Sequence, residues 1–246
     1  ELDPALAWRL NVEGVGNLLR NLVPGGARLV HLSVDLVFAG REGGGYTEDD
    51  PPDPVTVYGK SMVAAEERIV AEDPTACILR ISLPMGVSLN GHAGAIDWIS
   101  SRFKKSRPAT LYIDEVRTPT WCECLNEVCE TMLGNDARGI FHAGAPRRMS
   151  LYQIAQVISV AGGFDADCLF GIPRRQAGPI PPRAGDVSMN CDKLVRTLGC
   201  QPFASWPLDD ALVPTHFEWH RERRLSARDL WSEIVRRPPG AVPQRS

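Results

Sequence analysis

Three short apolar runs set the limits on what this chain can fold into: 28–33, 76–82 and 139–142. Each is nearly continuous in its hydrophobicity instead of alternating, which marks strands buried on both faces. Stretches with helical spacing separate them. Leu6, Leu10, Val15, Leu18, Leu19 and Leu22 predict a helix over 4–22, stopped by Pro24-Gly25-Gly26. Further helices are predicted over 57–72, 121–133, 150–162 and 190–198, with another strand near 110–113 and a long loop from Ala39 to Pro54. Strands separated by helices need crossover connections, so the expected class is α/β with a parallel sheet covered on both faces.

Composition narrows the function. The chain has 246 residues, 43% of them hydrophobic, with a net charge of −3. That size holds one large domain, or a domain with a smaller lobe. The charge balance predicts neither nucleic-acid nor membrane-surface binding, and no apolar run reaches the roughly 20 residues of a membrane span. Seven cysteines form no regular framework, so they are expected to be reduced thiols in a cytoplasmic protein. Cys122, Cys124 and Cys129 do not share one helix face, and no metal site is expected there. His216 and His220, four apart, are read as part of a surface helix. Arg221, Arg223, Arg224, Arg228, Arg236 and Arg237 predict a charged helical tail over 213–246 with a disordered end from Pro238. Glu1-Leu2-Asp3-Pro4 is neither a signal peptide nor a natural start.

Three motifs stand in an informative order. Asn11-Val12-Glu13-Gly14 lies on the opening helix. Ser33-Val34-Asp35-Leu36-Val37-Phe38-Ala39-Gly40 lies at a strand end. Tyr58-Gly59-Lys60-Ser61-Met62 opens a helix. Together they resemble the extended short-chain dehydrogenase/reductases. The segments Tyr46-x-Glu48-Asp49-Asp50-Pro51, Asp114-Glu115-Val116-Arg117-Thr118-Pro119-Thr120, Gly139-Ile140-Phe141-His142 and Pro182-Arg183 resemble the dTDP-4-dehydrorhamnose reductase branch, over about residues 4–212.

The resemblance implies an incomplete Rossmann-type doubly wound parallel sheet with a small mixed α/β substrate lobe. It implies reduction of a 4-keto nucleotide sugar with NADP or NAD, and a homodimer as one assembly. Tyr58 would be the catalytic proton donor and would touch the cofactor. Asp35, Arg117, Thr120 and Arg183 would be substrate-side contacts, and Asn11 a structural residue near the site. The chemistry asks for a lysine four residues after the tyrosine, whose charge lowers a phenol pKa that is otherwise near 10. It also asks for a Ser or Thr hydroxyl at the strand end. Here those positions are Met62 and Val34. Ser33 and Lys60 lie nearby, but one residue along a strand reverses side-chain direction and two along a helix change its face. A position often Trp in the branch is Leu83, and an expected aspartate is Cys124.

The Gly-rich turn that would seat the dinucleotide pyrophosphate is not found. Gly14-Val15-Gly16 falls inside a helix, and Gly43-Gly44-Gly45 lies in a loop and does not open a helix. The resemblance therefore begins midway through a nucleotide-binding domain, about two βαβ units or on the order of 60 residues in. The expected division is 1–82 with 110–144 as the nucleotide-binding part and 83–109 with 145–212 as the substrate lobe. Reduction is expected to be weak or lost. The alternative is a non-catalytic sugar-nucleotide-binding or regulatory protein on the same scaffold.

Overall fold

The computed structural model describes residues 3–41, 43–88, 94–223 and 230–237. Arg224, Arg228 and everything from Pro238 onward lie outside the described residues. In chain order the elements begin with α1 (Pro4–Trp8), a π turn (Arg9–Glu13), α2 (Gly14–Leu22), β1 (Val30–Val34), α3 (Val57–Glu72) and β2 (Cys77–Ile81). Next come β3 (Pro84–Met85), α4 (Ala95–Lys104), β4 (Ala109–Tyr112), β5 (Val116–Arg117), β6 (Thr120–Trp121), α5 (Cys122–Leu133) and β7 (Gly139–Ala143). The last are β8 (Met149–Ser150), α6 (Leu151–Ala161), β9 (Leu169–Ile172), α7 (Asp192–Leu198), α8 (Trp219–Glu222) and α9 (Ser232–Val235). No helix among the described residues is long and apolar enough to cross a membrane.

Two compact units divide the chain: 1–82, 126–144 and 179–200 form the first, and 83–125, 145–178 and 201–246 the second. In the first, β1, β2 and β7 form a parallel sheet in that order, with Val30 opposite Cys77 and Cys77 opposite Gly139. Val15 and Leu19 of α2, Ala65 and Ile69 of α3, and Ile78 of β2 pack together, with Ile140 against them. Phe141 points to the opposite face, where Lys193 of α7 lies 4.9 Å from its ring centroid. Helices thus cover both faces, and the α/β class with a parallel sheet holds.

The boundaries differ from those expected. Residues 110–125 stay with the second unit because β4 pairs in parallel with β9. Residues 179–200 join the first because Met189 bridges Tyr46 and Lys193 donates to the carbonyl of Ile140 at 2.7 Å.

The predicted helix over 4–22 carries a correction. The π turn adds a residue to the helical repeat and rotates α2 relative to α1. Val15, Gly16 and Leu19 face inward, while Leu6 (37%), Leu10 (62%) and Leu18 (55%) stay exposed.

In the second unit, α6 supplies much of the core through Tyr152, Ile154, Ala155, Val157 and Ile158. Ser150 and Gln153 cap it reciprocally, each side chain bonding the other residue's backbone N–H. The expected charged tail is also corrected, because its described part is packed. Trp219, His220, Leu230 and Ile234 are buried, and the Trp206 indole donates to the carbonyl of Ile234 at 2.9 Å. Apolar residues spaced between the arginines explain this, since burying each removes apolar surface from water. His216 precedes α8 and contacts Glu222 at 2.9 Å, whereas His220 is buried beside Gln156, so the pair does not share an exposed helix face.

Candidate functional site

The first unit gathers most of the residues singled out in the sequence. β1 ends at Val34 and turns through a short 3-10 segment, Asp35–Val37. Thr56 caps α3, its hydroxyl accepting the Gly59 N–H at 2.9 Å. Gly59 is required here, because a Cβ would collide with the carbonyl of Leu36. That close approach sets the first turn of α3, which carries Tyr58, against the end of β1.

Tyr58 is 41% exposed. Burial, and then the Asp35 carboxylate, hold its phenol above the ordinary tyrosine range. This direction is opposite to the one reductase chemistry uses. Met62, one turn on, is buried in a cluster with Val37, Phe38, Tyr46, Ala184 and Val187. Val34 packs against the same cluster. Of the two positions that would carry polar groups in the family pattern, Met62 is therefore a core side chain and Val34 is partly buried against that core.

Ser33 and Lys60 do not replace them. The Ser33 hydroxyl donates to Glu66, within a buried group in which Arg80 Nη2 meets Glu66 Oε2 at 2.7 Å and Arg80 Nε meets Oε1 at 3.1 Å. Arg80 Nη1 lies 3.4 Å from His142 Nε2. Arginine can only donate, so Nε2 accepts and the Nδ1 proton points to the carbonyls of Tyr46 at 3.0 Å and Asn190 at 3.2 Å. Burial, with the Arg80 charge behind it, brings His142 down to about 4, and it is neutral. Lys60 is exposed on the helix surface.

Asn11 sits on the π turn, and its amide donates to Ser61 Oγ at 2.9 Å. Ser61 in turn donates to the Tyr58 carbonyl at 2.8 Å. Asn11 thus braces the turn that carries Tyr58. Asp35 is buried and accepts from Ser82 Oγ at 2.6 Å. No sequence motif assigns a role to Ser61, Ser82 or Glu66. A short polar residue inside a motif gives no sign of its partner 14 to 50 positions away. Arg183 is exposed in the first unit.

Arg117 and Thr120 belong to the second unit. Arg117 is buried on β5 and pairs with Glu115 at 3.1 Å. The Thr120 hydroxyl donates to the Thr118 carbonyl at 3.0 Å and accepts the Ala145 N–H at 3.1 Å. Both side chains are thus engaged within their own unit.

The glycine segments do not fit a dinucleotide phosphate. The open side of Gly16 is filled by the Arg68 guanidinium, and that of Gly44 by the Asp186 carboxylate, which would repel an anion. A cleft of about 420 Å³ in the first unit is lined by Thr47, Glu48, Asp49, Asn190, Asp192, Lys193 and Arg196. Glu48 there accepts the His142 N–H at 2.7 Å, and Lys193 is held by Ile140. All seven cysteines are free thiols, and burial pushes Cys77 up to about 11 and Cys191 up to about 12, so neither is a nucleophile near neutral pH. Among the described residues, no three His, Cys, Asp or Glu converge on a metal position.

A family model described as RmlD substrate binding domain matches residues 1–209. The chain is 27% identical over 224 residues to methionine adenosyltransferase 2 subunit beta of Danio rerio, covering 89% of this chain and 68% of that protein. It is 27% identical over 177 residues to the spore coat polysaccharide biosynthesis protein SpsK of Bacillus subtilis, covering 72% of this chain and 60% of the relative. The chain thus spans about two thirds or less of the length of these relatives. A crystal structure of dTDP-4-dehydrorhamnose reductase from Bacillus anthracis in complex with NADP superposes with a TM-score of 0.75 at 22% identity, over 82% of this chain and 70% of that one.

Proposed function

We propose, on the premise that the chain belongs to the RmlD substrate binding domain family, that it binds a nucleotide sugar on a reductase scaffold and reduces it weakly or not at all. The observation that carries this reading is the state of Tyr58. Its phenol is raised by burial and by Asp35, and the position that should carry a cation is a buried methionine. A proton donor works best when its pKa lies near the working pH. Tyr58 is held away from that condition, and Val34 supplies no hydroxyl to steady a carbonyl oxygen.

Binding survives such losses more easily than catalysis does. Tyr58 remains accessible for contact, and Asn11 still braces it through Ser61. Asp35 and Arg183 are the proposed substrate-side residues of the first unit, whereas Arg117 and Thr120 belong to the second, where their side chains are already engaged. NADP or NAD is the cofactor the family would use, with Tyr58 as its one assigned contact in this chain.

A second reading draws on the relative named as a subunit of methionine adenosyltransferase 2. On that reading the scaffold acts as the regulatory partner of another protein.

The test is calorimetric titration of the 246-residue chain with a dTDP-sugar, beside a fluorescence titration with NADPH. The expected result is nucleotide-sugar binding without NADPH-dependent turnover of a 4-keto sugar. Efficient turnover would overturn the proposal. A chain that takes up neither ligand would leave the partner reading standing. Val34→Thr with Met62→Lys should raise turnover wherever NADPH binds, and no change would mean these positions do not face the reacting carbonyl.

A further inference from the structure

Four cations fall within six residues at the end of α4: Arg102, Lys104, Lys105 and Arg107, in a chain whose net charge is −3. Arg102 and Lys104, in the last turn, do what basic residues commonly do there and offset the negative helix end. Lys105 and Arg107 lie beyond it, where the terminal carbonyls are already engaged. The Arg107 N–H bonds the carbonyl of Arg102 at 2.9 Å, and the Ser106 N–H bonds that of Phe103 at 2.9 Å. The positive charge therefore exceeds what the helix end needs.

Beside it stands Trp98, 49% exposed, with the Arg102 guanidinium 5.9 Å from its ring centroid. Arg102 is held in place by a 2.7 Å bond from Nε to the Pro108 carbonyl. Trp98, Ser101, Arg102, Lys105 and Arg107 line a cleft of about 210 Å³, together with Asp97. One carboxylate, Asp97, stands among the four cations, buried and accepting from the Ser88 N–H at 2.9 Å and the Ser88 hydroxyl at 2.6 Å, so the cluster keeps a net positive charge.

We infer that this surface docks an acidic segment of a partner protein, with an apolar side chain of that segment seated on Trp98. Tryptophan and arginine are the residue types that most often dominate protein interfaces. The cleft is smaller than the roughly 300 Å³ or more of a small-molecule pocket. A free phosphate would use the cations and leave the indole face unused. A membrane would call for more inserted apolar side chains than this lining offers.

The test is fluorescence anisotropy of a fluorescein-labelled peptide, rich in Glu and Asp around a central Phe, against the 246-residue chain. Saturable binding is expected at low salt, weakening strongly toward about 0.3 M salt as the charges are screened. Trp98→Ala, and separately Lys105→Glu with Arg107→Glu, should each weaken binding roughly tenfold or more. Replacing the peptide Phe by Ser should weaken it as Trp98→Ala does. Arg196→Glu, in the first unit, should leave it unchanged, with circular dichroism confirming that every variant folds. Absence of saturable binding, or variants that bind like the parent, would overturn the inference. So would patch-dependent binding of inorganic phosphate or of phosphatidylserine vesicles in place of the peptide, which would assign the surface to a small anion or a lipid headgroup.

Discussion

A phenol answers to its burial as well as to its neighbours' charges, and at Tyr58 burial, and then the Asp35 carboxylate, both act against reductase chemistry. Asp35→Asn should bring the Tyr58 titration back toward the ordinary tyrosine value, and Met62→Lys should lower it further, as read by NMR of 13C-labelled tyrosine. A Tyr58 titration that neither substitution moves would show that these groups are not its electrostatic neighbours. Glu66 makes a second prediction. It is the carboxylate partner of the buried Arg80, so Glu66→Ala should lose roughly 3–5 kcal/mol by urea denaturation. Motifs in the sequence marked Tyr58, Asp35 and Asn11, but not the Ser61 and Ser82 hydroxyls that Asn11 and Asp35 bond. The apolar type of Met62 suits a packed core, but its partners Ala184 and Val187 lie far along the chain and could not be read from the sequence. The engagement of Ser33 by Glu66 escaped for the same reason.

Elements were legible where cap and pattern agree. Helix α3 spans 57–72 as expected, since Thr56 caps it and Asp73 lies just past its end. The π turn at 9–13 left no trace in the apolar spacing, and the two-residue strands β3, β5, β6 and β8 are too short to leave a period of their own. The end of α4 shows strain at the same scale. Ser106 sits at φ 49°, in the left-handed region, where the Schellman closure usually places glycine. Ser106→Gly should therefore stabilise the protein, by about 0.5–1 kcal/mol at most, read as a raised urea midpoint. A lowered midpoint would mean that the serine side chain makes a contact worth more than the strain.

For the molecule as a whole, acid is the informative perturbation. His142 stays neutral in the fold down to about 4, against 6.5 for an unperturbed histidine. Between those values the unfolded chain binds a proton that the folded chain refuses, so stability falls as pH drops through that window. The loss amounts to up to about 3 kcal/mol. Burial lowers His31 and His220 as well, which adds in the same sense. Urea midpoints at pH 7 and near pH 4.5 should differ accordingly, and His142→Asn should flatten part of that slope. An unchanged slope would mean that His142 does not govern acid stability. The α/β class was legible from three apolar runs, but the division into units was not, since it rests on long-range pairings such as Tyr46 with Met189 and β4 with β9.

That division takes the form of a braid: segments 1–82, 126–144 and 179–200 alternate along the chain with 83–125, 145–178 and 201–246. During synthesis the first unit cannot close until residue 200 has left the ribosome, by which time most of the second unit has already emerged. No single cut frees either unit by itself. End-to-end joining of genes, which readily exchanges domains strung like beads, has no point at which to separate these two, so they are inherited together.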